Sequence, residues 1–316
     1  MLICLEFLSM GGSAIVASMK ILITGGAGFI GSHTTELFVK DGHDVTVVDN
    51  FSTGKLSNLA SVKAGIKIVE LDICDTEALS EACRDVEVVL HLAAVSSVEK
   101  SIMEPLKTHE INTTGTLSVL EAARENKARR VVFSSSAAVY GDDPRLPKTE
   151  SSPVRPLSPY AWHKLTGEFY GRHYHLLHGI EFLTLRYFNV YGPRQDPASP
   201  YSGALSIFND RGRRGEALTI FGDGEQTRDF IHVSDIASVN LLAAKAQGSL
   251  PEIINVATGR ETRIIDVARI IQAGYDNKGE IRFEEGRQGD VRRSYASTNL
   301  LVQALGYEPL VKMDQG

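Results

Sequence analysis

Residues 20–31 constrain this chain more than any other stretch. Lys20–Thr24 (KILIT) is short and β-branched, and Gly25-Gly26-Ala27-Gly28-Phe29-Ile30-Gly31 follows at once, opening a helical pattern that runs to about Lys40. A run this apolar leaves no face for water. It reads as a strand covered on both sides, the habit of parallel sheets. The glycines are spaced G-x-x-G-x-x-G and mark a tight strand-to-helix turn. Their missing side chains let backbone N–H groups approach a pyrophosphate at the helix N-terminus. Such a turn alone is ambiguous, and its surroundings decide. Asp49 lies 21 residues beyond Gly28 and closes the next strand pattern, Asp44–Val48. A carboxylate there can accept from both ribose hydroxyls of an adenosine. It also repels a 2′-phosphate, so NAD is expected rather than NADP. Asp72-Ile73, after the third strand pattern, can flank the adenine.

Further strand patterns at Ile66–Leu71, Val86–Leu92, Arg130–Ser134 and Glu181–Arg186 alternate with amphipathic stretches around Thr76–Arg84 and Ile111–Asn126. That alternation means βαβ units and an α/β fold with a doubly wound parallel sheet of the Rossmann type. After Asn189 the texture changes. Residues 192–203 (GPRQDPASPYSG) read as a loop leaving the first layer, and the elements beyond are short and mixed. The expected organisation is a Rossmann domain of 19–189 plus 227–257, and a smaller mixed α/β substrate domain of 190–226 and 258–316. Strong patterning begins at Met19, so residues 1–18 read as an extension with no role in the fold.

Composition removes several function classes. The 316 residues carry 33 Lys+Arg against 39 Asp+Glu, a net charge of −6. That balance does not suit nucleic acid or an anionic membrane surface. Three cysteines, Cys4, Cys74 and Cys83, make no disulfide framework and suit a reducing, cytoplasmic compartment. No stretch reaches the ~18 apolar residues of a membrane span. The N-terminal MLICLEFLSM lacks the basic start of a secretion signal. His173, His175 and His178 include no i, i+4 pair, so they read as a solvated helix face, and no metal is expected. Arg211–Arg214 reads as a solvated helix end.

A second constellation carries chemistry. Tyr160 and Lys164 stand one helical turn apart, after a Ser158-Pro159 pair that suits a helix start. Ser134-Ser135-Ser136 closes the fifth strand pattern at the carboxyl edge, where open α/β sheets bind ligands. Oxidation of an alcohol at a nicotinamide requires the hydroxyl to lose its proton as its carbon loses hydride. A tyrosine with a pKa of ~10 is a poor base at neutral pH. A lysine ammonium one turn away, with the positive nicotinamide ring, is expected to lower it. A serine hydroxyl can bridge tyrosine and substrate.

With these residues the chain resembles the extended short-chain dehydrogenase/reductase family, and within it the UDP-hexose 4-epimerases, over about residues 19–312. The motifs are TGGAGFIGS, VVDN, HLAA (91–94), SSSAAVYGD (134–142), SPYAWHK, RYFNVYGPRQDP (186–197), FGDGEQTRDFIHVSD (221–235) and GRQGDVRRS (286–294). The resemblance implies tightly held NAD, with Ser136, Tyr160 and Lys164 as the catalytic set. It implies a cofactor site of Gly25, Gly28, Phe29, Ile30, Gly31, Asp49, Asn50, Ser52, Gly54, Asp72, Ile73, Leu92, Ala93, Ala94, Asn112, Ser134, Tyr160, Lys164 and Tyr187. For the UDP-sugar it implies Ser136, Asn189, Arg228, Arg287, Asp290 and Ser294, with both arginines on the diphosphate.

By the same resemblance, dehydratases carry an acidic residue after the catalytic serine. Ala137-Ala138 stand there instead, which disfavours dehydration and decarboxylation. Ser294 falls where a bulky tyrosine restricts some epimerases to glucose and galactose, so the N-acetylated hexoses remain open. A UDP-glucuronate 4-epimerase, a 4-ketoreductase and a non-catalytic NAD-binding sensor also remain open. The resemblance further implies a homodimer paired through the 100–125 and 160–178 helices. It also implies that residues 305–309 lead into a terminal helix for which little chain remains.

Overall fold

The computed structural model describes residues 18–196, 204–275, 279–286 and 291–311. The first part of the chain runs β1 (Lys20–Thr24), α1 (Phe29–Lys40), β2 (Asp44–Asp49), β3 (Ile66–Glu70), α2 (Thr76–Ala82) and β4 (Val88–His91). It continues through α3 (Val98–Met103), α4 (Pro105–His109), α5 (Gly115–Glu125), β5 (Arg130–Ser136), α6 (Pro159–His178) and β6 (Glu181–Tyr187). The later part runs β7 (Asn189–Tyr191), α7 (Ala204–Arg214), β8 (Leu218–Phe221), β9 (Thr227–Arg228), β10 (Phe230–His232), α8 (Val233–Lys245) and β11 (Ile253–Val256). It closes with β12 (Thr262–Arg263), α9 (Ile264–Gly274), β13 (Ile281–Glu284) and α10 (Asn299–Leu305).

Seven strands form one sheet in the order β11-β6-β5-β4-β1-β2-β3, and every pair in it is parallel. The order reverses between β1 and β4, and that switch point opens a crevice at the carboxyl ends of the strands. Alternation along KILIT explains the two layers. Ile21 and Ile23 pack on one face with Val45, Val47 and Leu90 beneath Ile236 and Val239 of α8. Leu22 turns to the other face with Val48, Val89, Val119, Leu120 and Phe133. Truncating one of these fully buried side chains to alanine costs about 2–5 kcal/mol.

Strand limits agree with the sequence reading to within two residues. The helix over 111–126 differs more. Glu110–Thr114 forms a wide π-type turn before the regular helix begins at Gly115. Here the Asn112 amide turns away from the helix and bonds both backbone groups of Val95. Helices α3 and α4 fall at the start of the 100–125 stretch that the resemblance makes helical.

A smaller assembly follows. Strand β8 pairs with β13, and β9 with β12. Phe208, Leu218, Ile220, Ile265, Val267 and Ile271 make a separate apolar cluster there. One expected boundary is corrected. All of 258–316 was assigned to the small domain, yet Leu301 of α10 is fully buried in the main core with Ile254 and Val256 of β11. An apolar helix face packs where a matching surface is open, and that surface is the sheet's. Met19 is also a core residue. Residues 1–17 of the expected extension, and any helix past 311, lie outside the described residues.

Candidate active site

The glycine turn leaves β1 and enters α1. Its compactness is visible at Gly31, where a Cβ would sit 2.0 Å from the Gly25 carbonyl oxygen. Gly28 faces the other way, and a Cβ there would meet only that same oxygen, at 3.2 Å. Gly28 caps α1 without a side-chain hydrogen bond, and the first turn holds no acidic residue. The N–H groups and positive end of a 12-residue helix therefore face an open cradle. That arrangement fits a pyrophosphate, with Phe29 and Ile30 supplying the first helical N–H groups.

Asp49, Asn50, Ser52, Gly54, Asp72 and Ile73 come together at and beyond the ends of β2 and β3. Asp49 is 7% exposed and accepts from the N–H groups of Ala27 and Phe51, each at 2.9 Å. Burial pushes its carboxyl up, and these two N–H groups oppose the shift. Two bonds leave acceptor sites on the carboxylate for ribose hydroxyls. Asn50 donates to Asp72 at 2.9 Å and accepts from the Ser52 N–H at 3.0 Å. The Gly54 backbone lies against both Asp49 carboxylate oxygens. Ile73 is buried in the adjoining core.

On the other side of the switch point, β4 runs into Leu92-Ala93-Ala94. The Leu92 N–H reaches the Thr24 carbonyl at 3.2 Å, and the Ala93 N–H reaches the Thr24 hydroxyl at 3.3 Å. Asn112 is buried and fixes the next residue, Val95, from both sides. It thus shapes the floor of the cleft through the backbone. His91 was not singled out from the sequence. It lies fully buried between the Thr24 and Thr116 hydroxyls, at 2.8 and 2.9 Å. Burial, helped by the Lys164 charge, lowers its pKa to about 3, so the ring is neutral. A lone histidine in an apolar strand was the available signal.

The catalytic candidates converge at the ends of β5 and α6. Ser158 caps α6 by accepting from the Ala161 N–H at 3.2 Å, with Pro159 in the first turn. The Tyr160 N–H donates to the buried Ser101 hydroxyl at 3.1 Å. Ser136 accepts from the Ala138 N–H at 3.2 Å and hydrogen-bonds the Tyr160 phenol. Lys164 donates to the Ser134 carbonyl at 2.7 Å and lies 5.1 Å from the Phe133 ring centre.

The electrostatics correct one expectation. Burial raises the Tyr160 pKa, and the Ser136 hydrogen bond opposes it. The expected lowering by Lys164 is not supplied by the protein alone, because the ammonium is turned to the Ser134 carbonyl. Burial in turn lowers Lys164 to about 8, opposed by the Glu168 carboxylate.

Tyr187, a cofactor candidate, closes β6 at the carboxyl edge, beside Ser136 of β5. It is buried in the main core, and its hydroxyl donates to Asn240 at 2.6 Å.

The substrate candidates occupy the small assembly's edge. Asn189 is half-buried, and its N–H meets the Asp229 carbonyl at 3.1 Å. Arg228 donates to the Thr227 and Val291 carbonyls, each at 2.7 Å. Ser294 is half-buried, two residues before Ala296, which bridges to Lys148. Arg287 and Asp290 lie outside the described residues. Sequence reasoning missed Asp229. It is fully buried, and its carboxylate accepts from the Thr258 N–H and hydroxyl and from the N–H groups of Gly259 and Ala296. The acid in TRDFIHVSD, set between arginine and phenylalanine, was the available signal.

No helix among the described residues is long and apolar enough to cross a membrane. Among the same residues no group of three or more His, Cys, Asp and Glu could hold a metal ion.

Comparison with known proteins agrees with this geometry. A provisionally named UDP-glucose 4-epimerase of Methanocaldococcus jannaschii is 41% identical over 94% of the chain and 95% of its own length. The crystal structure of a Thermotoga maritima UDP-glucose 4-epimerase with UDP-glucose is 36% identical at a TM-score of 0.90, covering 94% of this chain and 96% of that one. A UDP-N-acetylglucosamine 4-epimerase of Methanobrevibacter ruminantium, in complex with UDP-N-acetylmuramic acid, is 37% identical at 0.89, covering 93% of each chain. Other chemistry is present too. A UDP-glucuronic acid decarboxylase 1 of Xenopus tropicalis is 35% identical over 94% of this chain and 70% of its own length. The model of the NAD dependent epimerase/dehydratase family matches residues 21–257. With glycine turn, ribose carboxylate and Ser–Tyr–Lys set on one cleft, the chain belongs to that family and is an NAD-dependent enzyme.

Proposed function

We propose that this protein inverts C4 of a UDP-hexose, interconverting UDP-glucose and UDP-galactose, and that it extends to the N-acetylated pair. The observation that carries this reading is the pairing of an intact Ser136/Tyr160/Lys164 set with Ala137-Ala138. These alanines form a short turn capped by Ser136 and offer no acid or base to eliminate water across C5–C6. NAD, when bound, supplies the reversible acceptance of hydride. Tyr160 takes the C4-hydroxyl proton at its phenolic oxygen and later returns it. Ser136 bridges that oxygen and the sugar hydroxyl. Lys164 favours the phenolate by its charge and holds the cofactor's ribose side.

Residues 19–189 with 227–257, joined by α10, carry NAD in this reading. Residues 190–226 and 258–298 carry the UDP-sugar. Arg228 and Arg287 hold the diphosphate, guanidinium groups being suited to bidentate phosphate contact. Asn189 and Asp290 contact the sugar nucleotide, and Ser294 leaves room at C2. Anchoring by the nucleotide lets the sugar turn over without release, so no exchange of cofactor is needed. The plain-hexose and N-acetylhexose relatives stand at 36% and 37% identity, so similarity does not choose between them.

A homodimer fits this reading. Ile102, Met103, Leu106, Trp162, Leu176 and Leu177 on α3, α4 and α6 are 56–86% exposed. So large an apolar face calls for a cover.

The test is a substrate panel with the purified protein: both hexose pairs, UDP-glucuronate and a 4-keto sugar nucleotide. Epimerisation without net change in NADH is expected. Tyr160→Phe is expected to lower turnover by about 10²–10⁴-fold while UDP-sugar binding survives. Wild-type turnover in that variant removes Tyr160 as the base, and net consumption of NADH points to a reductase.

A further inference from the structure

Tyr160, Lys164 and Glu168 follow one another at i, i+4 and i+8 on a single face of α6. The third member is a carboxylate in a dry place. Glu168 is 5% exposed, and Arg186 of β6, which binds it, is 3% exposed. Arg186 donates to one carboxylate oxygen through Nε at 2.9 Å and to the other through Nη2 at 2.6 Å. The Ser135 hydroxyl also donates to Glu168. Behind them the Arg186 guanidinium lies 4.8 Å from the Tyr140 ring centre. Ser135 sits on β5 between Ser134, whose carbonyl holds Lys164, and Ser136, which holds Tyr160.

A buried ion pair is weak as a source of stability, because desolvation offsets the attraction. This one ties the end of β5, the middle of α6 and the end of β6 directly beneath three catalytic candidates. We propose that Glu168 is a positioning residue for Lys164: locked by Arg186 and Ser135, its carboxylate keeps the lysine charged one helical turn below the catalytic tyrosine. The proposal rests on the role given to Lys164 above.

The surroundings of Lys164 leave Glu168 as the group able to do this. On β5 it meets the Ser134 carbonyl and the Phe133 ring, both neutral. His91 on β4 and His163 on α6 are both shifted down, partly by the lysine's own charge. Tyr160 and Tyr140 are raised by burial and so remain neutral. Arg186 is occupied by the carboxylate itself. Other charged groups stand on elements packed against α6: Glu99 and Lys100 on α3, Lys107 and His109 on α4, Glu110 of the π turn, Glu121, Arg124 and Glu125 on α5, Arg130 on β5 and Glu181 on β6. None of them stands one helical turn from Lys164 on the same buried face of α6, as Glu168 does. Burial alone drives a lysine toward its neutral form.

The test is the pH profile of kcat for NAD-loaded wild type, Glu168→Gln and Glu168→Asp. Activity needs the ammonium, so it is lost as pH rises through the lysine's pKa. In Glu168→Gln the alkaline limb is expected to move down by about one pH unit, with KM unchanged. Glu168→Asp keeps the charge but withdraws it, and is expected to show a smaller shift of the same sign, which reads even if the glutamine variant does not fold. Failure of the epimerase reading shows in wild type alone, as no product from the panel. Failure of this proposal shows as a folded Glu168 variant whose alkaline limb superimposes on wild type.

Discussion

The two sides of the cleft are built from different materials. On the cofactor side the glycine turn and Asp49 are fixed by main chain within a closely packed sheet. Asp49 is held by two backbone N–H groups, and the glycine turn closes on its own carbonyl at Gly31. On the substrate side the candidates hang on short two-stranded pairings and on side-chain bonds. Arg228 props the Val291 carbonyl, Asp229 gathers two segments, and Arg292 and Arg293 pair with Asp223 and Glu261 at the surface. A site made of packed backbone has little freedom to vary. One made of side-chain bonds on a thin scaffold can change by single substitutions.

Substitutions on each side can break this contrast, and the largest effect is expected at the glycine turn. Gly31→Ala places a Cβ where no backbone can yield. Overpacking here is expected to cost at least about 3 kcal/mol and to abolish retention of NAD through gel filtration. A variant that keeps both its melting temperature and its NAD would show that the turn is not rigid. Next comes Asp229→Asn, which leaves one amide oxygen to serve four donors. A loss of about 2–4 kcal/mol is expected, together with a raised KM for the UDP-sugar and unchanged NAD binding. Loss of NAD in that variant would merge the two sides.

Ser294→Tyr tests specificity alone. It is expected to lower kcat/KM for the N-acetylated pair by about 10–100-fold while sparing the plain hexoses. Equal loss for both pairs would assign Ser294 to binding in general. The smallest effect belongs to Arg292→Ala. Its pair with Asp223 is more than half exposed on each side, and such pairs contribute little. No change in melting temperature is expected, and a clear fall would mean that the surface pairs hold the small assembly together.

The cofactor side was the legible one. KILIT, the glycine turn and Asp49 are local signals, each confined to a few consecutive residues, and the structure joins them as expected. Asn50, Asp72 and Ser52 follow directly on strand ends, and the structure brings them together. What escaped the sequence depends on partners far along the chain. Asp229 acquires its role from residues 29 and 67 positions away. Glu168 gains its role only when β6 brings Arg186 alongside. The last helix misled because its place in the chain suggested one domain and its apolar face belongs to another.

That last helix changes what kind of object the small assembly is. Chain leaves the sheet after β6, comes back to it at α8 and β11, and leaves again to return through α10, so each excursion is pinned at both ends to one plate. A segment pinned at its two ends cannot drift off as a separate body. It can still open and reclose locally at a free energy below that of global unfolding. Hydrogen exchange should therefore be fast in residues 204–221 and 262–284 and slow in the seven-stranded sheet.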